Sequence, residues 1–304
     1  MRGLRRAGPV VVLACLALAT GCGRSGGAGA PTTVVVPGCP VAVLPSAAVN
    51  GGMTDASPTV VPAPGAPPDP ASPSSTTGTL TVLAAASLSG VFTTIAHAFE
   101  ADHPGVTIRL SFDGSAALVA QLELGAPADL IATADRPTMD SLVNAGFVTG
   151  EPTIVATNSL IIAVPAGNPG HVGGLADVAH VRTVVCAPTV PCGAATARVS
   201  AAAGVPLTPV SLEQSVSAVA AKVSRGEADA GLVYRTDVAA SGGALGAVAL
   251  PDTAAVAEAA KTSYPVAVVR GSPRPELAAQ FVAAVAGPAG QSVLRQAGFG
   301  GADS

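Results

Sequence analysis

Apolar and polar positions along the chain change period several times after Thr79, and each change marks an element. Thr79-Leu80-Thr81-Val82-Leu83-Ala84 alternates as a strand does. Leu88, Val91, Phe92, Ile95, Ala96 and Phe99 then recur at helical spacing, the stripe of an amphipathic helix that stops before His103-Pro104-Gly105. A strand over Val106 to Phe112 and a helix over Ala116 to Leu124 follow, the helix closed by Gly125. Asp129 to Ala132 reads as a short buried strand, and Pro137 opens a helix that runs to Ala145 before Gly146. Further strands are predicted at Leu160–Val164, Thr183–Cys186, Ala230–Val233 and Tyr264–Val269. Helices are predicted at Gly193–Ala203, Val216–Arg225, Pro275–Ala286 and Ala289–Ala297. Strand and helix alternate throughout, which predicts an α/β protein with mainly parallel sheets. The stretch is too long for one economical layer set, so two lobes of roughly 110 residues each are expected.

Before Thr79 the pattern is lost. Residues 23–78 are a mixture of Gly, Pro, Ser, Thr and Ala in which only Arg24, Asp55 and Asp69 carry charge. Val34-Val35-Val36 and Val41-Ala42-Val43-Leu44 are its apolar patches. This composition predicts a mostly disordered spacer. Upstream, Arg2, Arg5 and Arg6 precede an apolar run from Val10 to Ala19, shorter than the about 20 residues that span a bilayer. Residues 1–21 therefore read as an export signal. Thr20-Gly21-Cys22 resembles a bacterial lipoprotein processing site, with Cys22 becoming the lipid-bearing N-terminus. An ordinary signal with a stray Cys is the competing reading.

Composition narrows the functional classes. Charged residues make up 11% and aromatics 3% of 304 residues, with no Trp. A basic nucleic-acid binder, a coiled coil and a Cys-dense scaffold are thereby excluded. The 49% apolar content excludes a wholly disordered chain. From Cys22 onward 12 Lys and Arg face 19 Asp and Glu. An anion bound by so acidic a protein must be held by local dipoles rather than the overall field.

Beyond Cys15 and Cys22, three cysteines remain. Cys186 and Cys192 flank the turn-rich Ala187-Pro188-Thr189-Val190-Pro191. Export favours a disulfide there over a metal site, because no His lies near. Cys39 is left unpaired.

Enzyme signatures are weak. His97, His103, His171 and His180 form no i, i+4 pair, and no Gly-x-Ser-x-Gly elbow, Walker A loop or Gly-x-Gly-x-x-Gly occurs. A serine-dependent hydrolase using Ser87 would lack a nearby His. A different feature repeats: Ala84-Ala85-Ala86-Ser87-Leu88 and Phe112-Asp113-Gly114-Ser115-Ala116 each put a hydroxyl where a strand turns into a helix. Each is an ordinary N-cap taken singly, and an oxyanion cradle if the two converge.

With these motifs the chain resembles the molybdate-binding proteins of bacterial ABC transporters. The resemblance is carried by Ala85-Ala86-Ser87-Leu88, by Gly125 to Leu130 with Ile131-Ala132-Thr133-Ala134-Asp135, and by Asn158-Ser159-Leu160. Gly231-Leu232-Val233-Tyr234 with Asp237, Tyr264 to Val269 and Gly298-Phe299 complete it in register. It implies a periplasmic binding protein fold of type II, each lobe a mainly parallel sheet flanked by helices. Lobe 1 would be residues 79–158 plus 264–304, and lobe 2 residues 159–263. The implied ligand is molybdate, or the chemically similar tungstate, with no cofactor, no further metal and no catalysis. Ser87 and Ser115 would each give a hydroxyl and an N–H, Cys192 and Val216 a backbone N–H, and Tyr234 its phenol. Implied partners are an ABC permease and, through the lipid at Cys22, the extracytoplasmic face of the cell membrane; the protein would be a monomer. Asp113 is the discordant residue: a carboxylate repels a dianion but accepts the proton of hydrogen phosphate, so a phosphate or arsenate binder is the alternative.

Overall fold

The computed structural model describes residues 77–302, all within one unit spanning Pro67–Ser304. The expected signal, the spacer, Cys22 and Cys39 lie outside the described residues. Nine strands and ten α-helices are described: β1 (Gly78–Ala85), α1 (Ser89–Asp102), β2 (Val106–Asp113), α2 (Ser115–Glu123), β3 (Leu130–Ala132), α3 (Arg136–Asn144) and β4 (Val148–Pro165) come first. Then follow α4 (Leu175–Val178), β5 (Thr183–Cys186), α5 (Pro191–Ala203), β6 (Ser211–Glu213), α6 (Val216–Ser224), β7 (Ala230–Tyr234) and α7 (Arg235–Ala240). The chain closes with β8 (Leu245–Val248), α8 (Ala254–Ala260), β9 (Lys261–Val269), α9 (Pro275–Ala286) and α10 (Pro288–Gln296).

The strand order is β2-β1-β3-β9-β4-β7-β5-β6, with β8 also on β4. Both outer flanks are parallel: β1 with β2 and β3, and β5 with β6 and β7. The long strands between them run antiparallel, β9 against β3 and β4, and β4 against β7 and β8. The sheet is thus mixed, and each parallel flank comes from βαβ crossovers.

β4 is the main departure from the predicted elements. The apolar run predicts Leu160–Val164, whereas the strand begins at Val148. Gly150 and Pro152 read as breakers in sequence, and the ladder with β9 absorbs them as a register shift between Thr149 and Thr153, with a second shift between Ile154 and Ala156. β4 pairs with β9 up to Ser159↔Lys261 and with β7 from Leu160↔Tyr234, so it passes from one half of the sheet to the other at Asn158–Leu160. β6, β8, α4, α7 and α8 were not legible in the apolar pattern; each is seven residues or shorter.

Side chains of the central strands are buried on both faces, as a sheet covered by helices requires. Leu80, Val82, Leu130 and Ala132 face the larger apolar cluster. Leu83 and Ile131, one residue out of phase, join Leu118, Leu122, Met139 and Leu142 on the opposite face. The expected stripe of α1 is buried throughout, and Phe92 and Phe99 meet Phe281 of α9 edge-on at 6.2 and 5.4 Å.

Candidate functional site

The carboxyl ends of β1 and β2 lead directly into helical turns. Ala86–Leu88 is a 3-10 turn that runs into α1. Gly114 is the N-cap of α2 and Ser115 its first residue. From the other half of the sheet, Val190 caps α5 with Pro191 at its start, and Ser215 caps α6 by accepting from the Ala218 N–H. The first N–H groups of a helix have no intrahelical acceptor.

These four termini line one cavity. Its walls include Ser87, Asp113, Gly114, Ser115, Ala134, Cys192, Val216 and Tyr234. All five expected ligand residues are therefore brought together, from strand ends far apart in sequence. Asp113 is the one charged side chain in its described lining, and no Lys, Arg or His is among them. Any positive potential there comes from helix dipoles and N–H groups. No cluster of His, Cys, Asp and Glu suited to a metal ion occurs among the described residues.

The polar atoms are arranged to donate inward. Ser115 is buried, and its Oγ accepts from the Ala134 N–H at 3.0 Å, which leaves its own proton free. Ser87 Oγ lies 3.1 Å from Tyr264 Oη. Tyr234 is 1% exposed, and its hydroxyl has no hydrogen-bond partner. Thr262, the hydroxyl that faces it, donates its own proton to the Ala134 carbonyl. Burial holds the Tyr234 phenol well above its ordinary pKa, so it stays a donor. An unpaired buried hydroxyl is costly.

Asp113 is half-buried, and its carboxylate accepts from the Gly114 N–H at 2.7 Å. The Cys186 and Cys192 sulfurs are joined, with Cα atoms 5.7 Å apart, so the loop presenting the Cys192 N–H is cross-linked to the end of β5. Gly114 sits where a Cβ would lie 1.9 Å from the Gln214 carbonyl oxygen, just ahead of α6. Two contributors escaped the sequence reading. Tyr264 and Asn158 stand behind Ser87, and Asn158 Nδ2 lies 3.4 Å from Tyr264 Oη. A signal was present: the chain has only two tyrosines, Tyr234 and Tyr264, and their rings meet 6.2 Å apart beside the cavity.

Two half-sheets joined by long crossing strands, with helix N-termini from both halves around one cavity, have the architecture of a two-lobe solute-binding protein. The chain belongs to the family described as bacterial extracellular solute-binding protein, which it matches over residues 80–300. It is 44% identical over 232 residues to the molybdate-binding protein ModA of Mycobacterium tuberculosis, covering 76% of this chain and 87% of that one. It is 32% identical over 242 residues to ModA of Escherichia coli, covering 73% and 89%. The periplasmic molybdate-binding protein of Azotobacter vinelandii has the same fold, with a TM-score of 0.62 at 22% identity over 72% of this chain and 98% of that one.

Proposed function

We propose that this chain captures molybdate, and tungstate with it, between its two lobes on the outer side of the cell membrane and delivers the ion to an ABC permease. The observation that carries the reading is the convergence of four helix N-termini and the unpaired Tyr234 hydroxyl on a cavity without cations. A tetrahedral dianion without protons needs donors from all sides and no acceptor. Ser87, Ser115 and Tyr234 supply hydroxyls, and Cys192 and Val216 supply N–H groups. Each hydrogen bond to a charged ligand contributes about 1.5–3 kcal/mol. Neutral donors also leave the ion releasable. The names of the relatives above support the same ligand.

In this reading residues 79–158 and 264–304 form one lobe and 159–263 the other, and closure presents a surface to the permease. The charged and apolar regions of residues 1–21, followed by Cys22, support export and lipid anchoring, with 22–78 as the tether. Asp113 on the cavity wall favours the second reading, hydrogen phosphate or arsenate with the carboxylate as proton acceptor.

Titration calorimetry of the mature chain with molybdate, tungstate, sulfate and phosphate at pH 7 separates the two. The expected result is tight binding of the two metal oxyanions and silence from the others. Binding of phosphate alone would make Asp113 the central residue and overturn the molybdate reading.

A further inference from the structure

Both serines must present a proton to the cavity, and each depends on what it hydrogen-bonds behind it. Ser115 accepts from a backbone N–H, which can only donate. Ser87 faces another hydroxyl, Tyr264 Oη, and such a pair can run in either direction. Were Ser87 to donate to Tyr264, its proton would be lost to the cavity.

The direction is decided one residue further back. Asn158 is buried, and its Oδ1 accepts from the Ser159 N–H at 2.9 Å. Its amide nitrogen therefore points the other way and donates to Thr236 Oγ1 at 2.8 Å and to Tyr264 Oη at 3.4 Å. Among the described residues Tyr264 Oη meets only Asn158 Nδ2, which can only donate, and Ser87 Oγ; the one acceptor in reach of its single proton is therefore Ser87, and the Ser87 proton is left for the cavity. We propose that Asn158 and Tyr264 form a one-way hydrogen-bond relay that fixes Ser87 as a donor and so sets the preference for an oxyanion carrying no proton. The inference rests on the anion-binding reading above, and the two are positioning residues acting through Ser87.

The surroundings hold the relay in that state. Tyr264 is fully buried, with its ring edge-on to Phe299 at 5.4 Å and Tyr234 at 6.2 Å. Burial raises its pKa above the ordinary phenol value, so the proton is present wherever the protein is folded. Asn158 sits where β4 passes between the half-sheets, paired with Thr262 of β9, while Thr236 belongs to α7.

The test is a titration of the mature chain with molybdate for the wild type, Tyr264→Phe, Asn158→Asp and the double variant. Tyr264→Phe removes the proton supplied to Ser87 and is expected to weaken binding by about threefold to tenfold. Asn158→Asp puts an acceptor where a donor was. Tyr264 then donates backwards and draws the Ser87 proton, and a loss of about tenfold or more is expected. The double variant should bind more tightly than Asn158→Asp, because phenylalanine cannot take the Ser87 proton. A double variant no better than Asn158→Asp overturns the relay.

A second measurement stands independently of how Asn158→Asp folds, since Tyr264→Phe keeps the ring. In a Ser87→Ala background, Tyr264→Phe should change affinity by less than about twofold. Equal losses in both backgrounds would mean a merely structural role and overturn the relay alone. A wild-type protein that binds no oxyanion overturns the ligand reading itself.

Discussion

Replacing Gly114 by Ala tests whether the two lobes must touch for the site to work. The backbone there has φ −60° and ψ 138°, which any residue adopts, so the substitution introduces no local strain. The added Cβ, however, would stand 1.9 Å from the Gln214 carbonyl oxygen and 3.1 Å from its carbon. Ordinary contact needs more than about 3 Å, so the Gln214 segment must retreat by about 1 Å or more. Gln214 and Ser215 lead into α6, and a shift of that size takes the Val216 N–H out of hydrogen-bond range of a ligand held by Ser87 and Ser115. If the half carrying Cys192 moves with it, two charge-assisted bonds are lost. At about 1.5–3 kcal/mol each, this predicts an affinity loss of about 10² to 10⁴. Calorimetry with molybdate reads the loss, and small-angle scattering should show that ligand no longer compacts the variant. The unfolding midpoint without ligand should stay close to wild type, because the contact lies between half-sheets rather than in either core. Gly90→Ala, where nothing lies within 4 Å of the added carbon, is the control and should bind normally. Affinity of Gly114→Ala within threefold of wild type would refute the reasoning.

Three further outcomes follow from particular groups. Tyr234→Phe removes a buried hydroxyl without a partner, so it should stabilise the ligand-free protein by about 1 kcal/mol while cutting the stabilisation added by molybdate; loss of stability without ligand contradicts this. Asp237 keeps only an edge on the adjoining cleft; burial raises its pKa to about 7 from 3.8, although its carboxylate accepts from the Tyr234 N–H at 2.9 Å. The folded protein thus keeps a proton that the unfolded chain has lost, so stability should fall as pH rises from about 4 to 7. Asp237→Asn should flatten that slope in denaturant melts, and an unchanged slope counts against it. Replacing Cys186 and Cys192 together by Ser should lower stability by about 2 kcal/mol. The same change loosens the loop that presents the Cys192 N–H, so binding should weaken as well; equal affinity in calorimetry would show that the cross-link has no part in the site.

The sequence alone determined much of this protein. Long elements with a strong period were legible, such as the α1 stripe and the α9 boundaries, because burial on one face imposes periodicity on the residues themselves. Ser87 and Ser115 were visible because a hydroxyl at a strand-to-helix junction is a local feature. Tyr234, Cys192 and Val216 were reached through the resemblance and not from their own surroundings. Helices as short as α4, α7 and α8, or a strand interrupted by Gly150 and Pro152, leave no such trace. The hydrogen bonds of β4 are supplied by β9, β7 and β8, which lie far away in the chain. The meeting of four helix N-termini at one point, and of Gly114 with the Gln214 carbonyl, arises from long-range packing of the two half-sheets. The same packing brings Asn158, Tyr264 and Ser87 into one hydrogen-bonded chain. Asn158 and Tyr264 are 106 positions apart, and the donor sense of a hydroxyl depends on which partner it meets. No run of neighbouring residues encodes that partner; the crossing of β4 and β9 does.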